Sequence, residues 1–181
     1  MERELLRKSI HFLGLGYIPL YLNFGRGITL LVVFLLTVFA LVLEIARHKF
    51  QILPKFVLRD YETKGIGAYV YFGISALIVT LIFPMKACIV AIVVGSLGDG
   101  VAGILKSTNL SRYSSIAMFI ISFSFLLSIN SIVNFSFYSA LAACVVGTLI
   151  ERIQKIGGYY INDNLSVPIV SALVYYLFLL F

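Results

Sequence analysis

The stretch AIVVGSLGDGVAGIL, residues 91–105, sets a carboxylate, Asp99, between Gly98 and Gly100 in a run otherwise suited to the inside of a membrane. A charge at the bilayer centre costs roughly 2.5 kcal/mol or more, so such an acid faces a cavity, a partner or a substrate. Gly95, Asp99, Ala102 or Gly103, and Lys106 recur at helical spacing, which predicts a groove of small residues holding an acid, with a base two turns further on. Small residues permit close approach of a neighbouring helix or of a ligand, here phosphate at Gly98 and Gly100. Helix packing with an ion pair is one account of Asp99. The chemical account is a site for Mg²⁺ and phosphate, since a hard cation bridging phosphates takes one or two carboxylates.

Other polar residues accompany it. Glu4, Arg7, Lys8 and His11 are spaced to lie on neighbouring faces of one helix. Arg7, Lys8 and His11 read as an anion-binding face, with snorkelling bases at a helix end as the plain alternative. Glu44 and Arg47, three apart, are suited to pairing, and Glu151 closes an apolar run. Asn162, Asp163 and Asn164 precede the last apolar run, with Ser166 and Pro168 in what reads as its first turn. One N-cap explains part of this pattern, but three consecutive amide and acid side chains exceed what a cap needs. A helix N-terminus also favours phosphate. Cys88 and Cys144 lie in apolar runs without metal-ligand spacing and read as packing residues. No P-loop, dinucleotide fingerprint, HExxH or paired CxxC occurs, so a nucleotide would be held in some other way.

The elements that must position these groups are membrane helices. Of the 181 residues 61% are hydrophobic and 12% charged, and the mean hydropathy is +1.04. Those values imply an all-α integral membrane protein, one transmembrane domain over 1–181. Apolar runs predict seven spans, at 9–24, 27–46, 65–83, 87–105, 113–130, 136–150 and 165–181. The sixth is expected to run on through GTLIERIQKIG, with Gly157 and Gly158 as its stop. The basic, apolar start resembles a signal peptide, but His11, Pro19 and the lack of a cleavage pattern favour a first span. Seven spans put twelve of the fourteen Lys and Arg on the N-terminal side, leaving Arg26 and Lys86 opposite. The positive-inside rule makes that side cytoplasmic, and the acids gather there with Asp99 the deepest. The net charge of +6 reads as topology and attraction to anionic lipid. No basic stripe carries interleaved aromatics, so nucleic acid is not an expected partner.

Four segments carry a resemblance. ELLRKSIHFLG (4–14), EIAR (44–47), GSLGDGVAGILKS (95–107) and NDNLSVPIVSAL (162–173) are similar, in order, to motifs of the dolichol kinase, phytol kinase and CTP-dependent diacylglycerol kinase group. Here the Glu-to-Arg spacing of the first motif is one longer. The segment after Lys106 lacks the family's glycines, and Asn162 stands where an acid is usual. The resemblance implies transfer of the γ-phosphoryl group of CTP, or ATP, to the hydroxyl of a lipid alcohol such as a polyprenol, with diacylglycerol or phytol as alternative acceptors. It implies Mg²⁺ on Asp99 with Asp163 or Glu151, phosphates on Arg7, Lys8, Lys106 and Asn164, and support from Glu44, Arg47 and Asn162. Asp163 or His11 would take the hydroxyl proton. Such an enzyme would sit in a prokaryotic plasma membrane or the endoplasmic reticulum, its site facing the cytoplasm. A lipid-phosphate cytidylyltransferase and a small transporter are the rival readings of the same acids.

Overall fold

A computed structural model describes residues 8, 11–50, 65–153, 155–157 and 159–180. A 3₁₀ turn, Gly14–Gly16, leads into α1 (Tyr17–Phe50), followed by α2 (Ala68–Ile82), α3 (Met85–Ile92) and α4 (Asp99–Lys106). The chain continues through α5 (Ser114–Ser128), the short α6 (Asn130–Val133), α7 (Phe137–Glu151), a two-stranded pair, β1 (Lys155–Ile156) with β2 (Tyr159–Tyr160), and α8 (Asp163–Phe178). Three stretches, His11–Phe50, Met85–Lys106 and Ser111–Ser128, are long and apolar enough to cross a membrane. Leu35, Phe39, Val42 and Ile45 are exposed along the outside of α1, an apolar surface that fits a lipid solvent.

Within α1 the chain folds back. Gly25 has φ 72° and ψ −178°, a conformation that interrupts the helix between the first two expected spans and that side-chain-bearing residues rarely adopt. The arms on either side run along α2 in opposite directions. In the first arm Tyr17 shares a 2.9 Å hydroxyl contact with Thr80, while Gly14, just before it, packs on Phe72. In the second, Arg26 Nε donates to the Thr80 carbonyl at 3.0 Å, Thr37 packs on Gly73, and the Gly67 N–H donates to Glu44 at 3.1 Å.

The helix Met85–Lys106 is the centre of the bundle. From Ala87 to Val94 every residue is at most 1% exposed, as expected for a helix that is apolar on all sides. A π turn, Val93–Gly98, interrupts it immediately before Asp99. The extra residue of a π turn rotates everything beyond it, so the expected stripe from Gly95 to Lys106 is not one face. Gly95 instead receives the ring of Pro168, Gly98 faces Ser122 and Met118, and Gly100 faces Phe12. Pro168, expected in the first turn of the last helix, is the sixth residue of α8, where its ring removes the N–H that would bond the Asn164 carbonyl.

Other boundaries also depart from expectation. The second span runs on to Phe50, and the fifth ends at Ser128. The helix expected through GTLIERIQKIG stops at Glu151, and Gly157, at φ 56°, sits in the turn between the paired strands. The close approach of α7, α8 and the π turn rests on Gly147, where a Cβ would meet Ser171 and come 2.7 Å from Val94 Cγ1. Gly147→Leu is expected to destabilise the bundle by about 1–3 kcal/mol through overpacking. Thermal unfolding in detergent reads this as a lower midpoint, and an unchanged midpoint would contradict the packing described.

Candidate active site

Three helix ends converge below the π turn. Asp99 is the first residue of α4, Glu151 the last of α7, and Asp163 the first of α8. One carboxylate oxygen from each lies within 4.8 Å of the others, and all three residues are buried. At an effective dielectric of about 20, two such charges repel by roughly 3 kcal/mol per pair, so this grouping needs compensating positive charge. The positive ends of the α4 and α8 dipoles favour Asp99 and Asp163. Glu151, at a C-terminus, lacks that help and is paired with Lys106.

Lys8 supplies the second charge. Its Nζ donates to Asp99 Oδ2 at 2.6 Å and to the Asp99 carbonyl at 3.1 Å, and the residue is fully buried. Its stem crosses Gly103, whose missing side chain makes the passage possible. The groove of small residues therefore holds Lys8, and the base expected for Asp99, Lys106, belongs to Glu151. His11 Nδ1 lies 3.7 Å from Asp99 Oδ2, and Ser96 in the π turn donates to the His11 carbonyl, fixing the N-terminal segment against this site.

The Asn-Asp-Asn stretch is a cap and more. Asn162 Oδ1 accepts from the Asn164 backbone N–H at 3.0 Å, which is the N-cap of α8. The Asn164 side-chain amide donates to Asp163 Oδ1 at 3.0 Å and to Asn162 Oδ1 at 3.1 Å, orienting the carboxylate. Two buried oxygens, Glu151 Oε2 and Asn164 Oδ1, have no hydrogen-bond partner among the described residues. Leaving such acceptors dry is unfavourable by about 1–3 kcal/mol each, more for a charge. Three carboxylates with an unpaired amide oxygen are the all-oxygen donor set of a hard divalent cation such as Mg²⁺, so the residues present fit one.

Glu44 and Arg47, expected to support the site, pair with each other at 2.5 Å. With Tyr69, which donates to Glu44, and Arg47 Nη2, which donates to the Gly65 carbonyl at 2.5 Å, they tie the end of α1 to the start of α2. Arg7 lies outside the described residues.

Sequence reasoning missed a cavity of about 480 Å³ between the two arms of α1 and α2. Its signal in the sequence is weak: small residues, Gly14, Gly16, Ala40 and Gly73, face one another only after the chain folds back at Gly25. His11 forms part of its wall.

No protein-family profile matches this chain, and no solved structure does. The chain is similar to "Uncharacterized protein RP860" of Rickettsia prowazekii (strain Madrid E), with 28% identity over 185 residues, covering 92% of this chain and 90% of that protein.

Proposed function

We propose that this protein is a membrane lipid-alcohol kinase that transfers the γ-phosphoryl group of a nucleoside triphosphate, CTP in preference to ATP, to the hydroxyl of a polyprenol-type alcohol. The observation that carries the reading is the convergence of Asp99, Glu151 and Asp163, with unpartnered Glu151 Oε2 and Asn164 Oδ1 beside them. The four motif resemblances support it. In this reading the chain forms seven spans, counting the two arms of α1 separately, with the N-terminus and the carboxylates at the cytoplasmic face. A charged nucleotide then arrives from water and a greasy alcohol from the bilayer.

Phosphoryl transfer asks the protein mainly for positioning and charge neutralisation. Asp99, Glu151, Asp163 and Asn164 would hold Mg²⁺, which when bound neutralises and orients the phosphate oxygens. Lys8 and Lys106 offset the carboxylates and lie beside the phosphates, and the N-terminus of α8 adds backbone N–H groups. The acceptor hydroxyl gives its proton to His11, its oxygen forms the bond to the γ-phosphorus, and the bond to the bridging oxygen breaks. The nucleoside diphosphate leaves with that oxygen and its electron pair. Asp99 accepts the charge that His11 gains.

Phosphorus NMR of the reaction mixture tests the reaction class. The account expects a lipid monophosphate and a nucleoside diphosphate in equal amounts. Pyrophosphate in their place would identify a nucleotidyl transfer and overturn the kinase reading.

A further inference from the structure

The cavity inside the α1 hairpin is not explained by the carboxylate site, yet it adjoins it. Its volume, about 480 Å³, lies within the range of sites that hold small organic ligands. Its wall is almost wholly apolar, and two of its residues, Leu13 and Leu36, are largely exposed on the outer surface, where lipid chains would lie. The hydroxyls on the wall are already engaged: Tyr17 with Thr80 at 2.9 Å, Thr37 with the Val33 carbonyl at 2.7 Å, and Tyr69 with Glu44. The remaining ionisable wall residue is His11, whose Nδ1 is 3.7 Å from Asp99 Oδ2.

An apolar chamber open toward lipid, with its one link to the carboxylates through an imidazole, has the layout of a site for a molecule with a long hydrocarbon part and a single small polar end. We propose that this cavity binds the hydrocarbon chain of the alcohol acceptor, one chain entering between Leu13 and Leu36, with its hydroxyl at His11. The inference rests on the kinase reading for the fate of the hydroxyl, but the binding of a single-chain lipid alcohol in the hairpin is separable from it. A headgroup-bearing phospholipid does not suit the site, because the wall offers no set of donors for a phosphate.

Gly16 makes the cavity testable without disturbing the fold. It lies on the wall, and a Cβ there meets nothing within 4 Å. Gly16→Phe therefore fills space instead of forcing helices apart. Ala40→Phe fills it from the second arm. Gly27→Phe, also with open space at its Cβ and off the cavity wall, is the control.

The experiment uses full-length protein in nanodiscs with a photoactivatable farnesol analogue, competed by unlabelled polyprenol, and peptide mapping of the adducts. Phosphoryl transfer is measured on the same samples. The expected result is adducts on 11–20, 32–40 and 68–76, reduced at least about tenfold by Gly16→Phe and by Ala40→Phe and unchanged by Gly27→Phe. Adducts elsewhere, no competable adducts, or adducts insensitive to both fillings would overturn the inference. Kinase activity that persists with such adducts would leave the kinase reading standing with its acceptor bound elsewhere. Adducts at the expected residues without any phosphoryl transfer would uphold the cavity and sink the kinase reading.

Discussion

Asp99→Asn is expected to reduce phosphoryl transfer by roughly 10³-fold or more, because one change removes a metal ligand, the partner of Lys8 and the anion facing His11. The same substitution also leaves Lys8 buried with less opposing charge. Breaking a buried pair by removing one partner typically destabilises by about 3–5 kcal/mol. Here the asparagine keeps an oxygen for the Lys8 ammonium, and Glu151 and Asp163 keep their carboxylates near the vacated charge, so a smaller loss of thermal stability is expected. The double variant Lys8→Met/Asp99→Asn separates the two effects. It removes the buried charge altogether, so it should regain stability relative to the single variant while staying inactive. Non-additivity of that kind is what a coupled pair produces. Near-normal turnover by folded Asp99→Asn would remove Asp99 from the mechanism.

Glu151→Gln is expected to act on cation binding with less effect on folding. Its Oε1 is paired with Lys106, but the Lys106 side chain is 38% exposed and can extend to water when its partner is neutralised. Its Oε2 is buried without a partner among the described residues, which is the atom a cation would take. Loss of outer-shell groups already weakens metal sites by about 10–100-fold, so loss of a ligand should weaken this one by about 100-fold. Electron paramagnetic resonance of added Mn²⁺, which reports free and bound ion without any turnover, checks this. Unaltered Mn²⁺ affinity in the variant would exclude Glu151 from the cation's ligands.

Much of this site was legible in the sequence because acids in a membrane chain are conspicuous. Asp99 stood out by its apolar surroundings, Glu151 by closing an apolar run, and Asp163 by an excess of polar side chains over the needs of one cap. The structure brings those three residues together. The turn at Gly25 was legible too, since Gly-Arg-Gly interrupts the apolar run. What could not be read was the phase of the central helix. Its residues are apolar on every side, so periodicity carries no signal, and the π turn at Val93–Gly98 shifts the residues beyond it. The pairing of bases with acids followed from that rotation: Lys8, 91 residues away in sequence, reaches Asp99, and Lys106 turns to Glu151. The cavity was hidden because its small residues become neighbours only through the fold-back of α1.

The central claim is tested most directly by incubating the purified protein in lipid with γ-labelled CTP or ATP, Mg²⁺ and, separately, a polyprenol, phytol and diacylglycerol. The account predicts label in the polyprenol, more from CTP than from ATP, and none with Asp99→Asn. Folded wild-type protein that labels no alcohol from either nucleotide would contradict it.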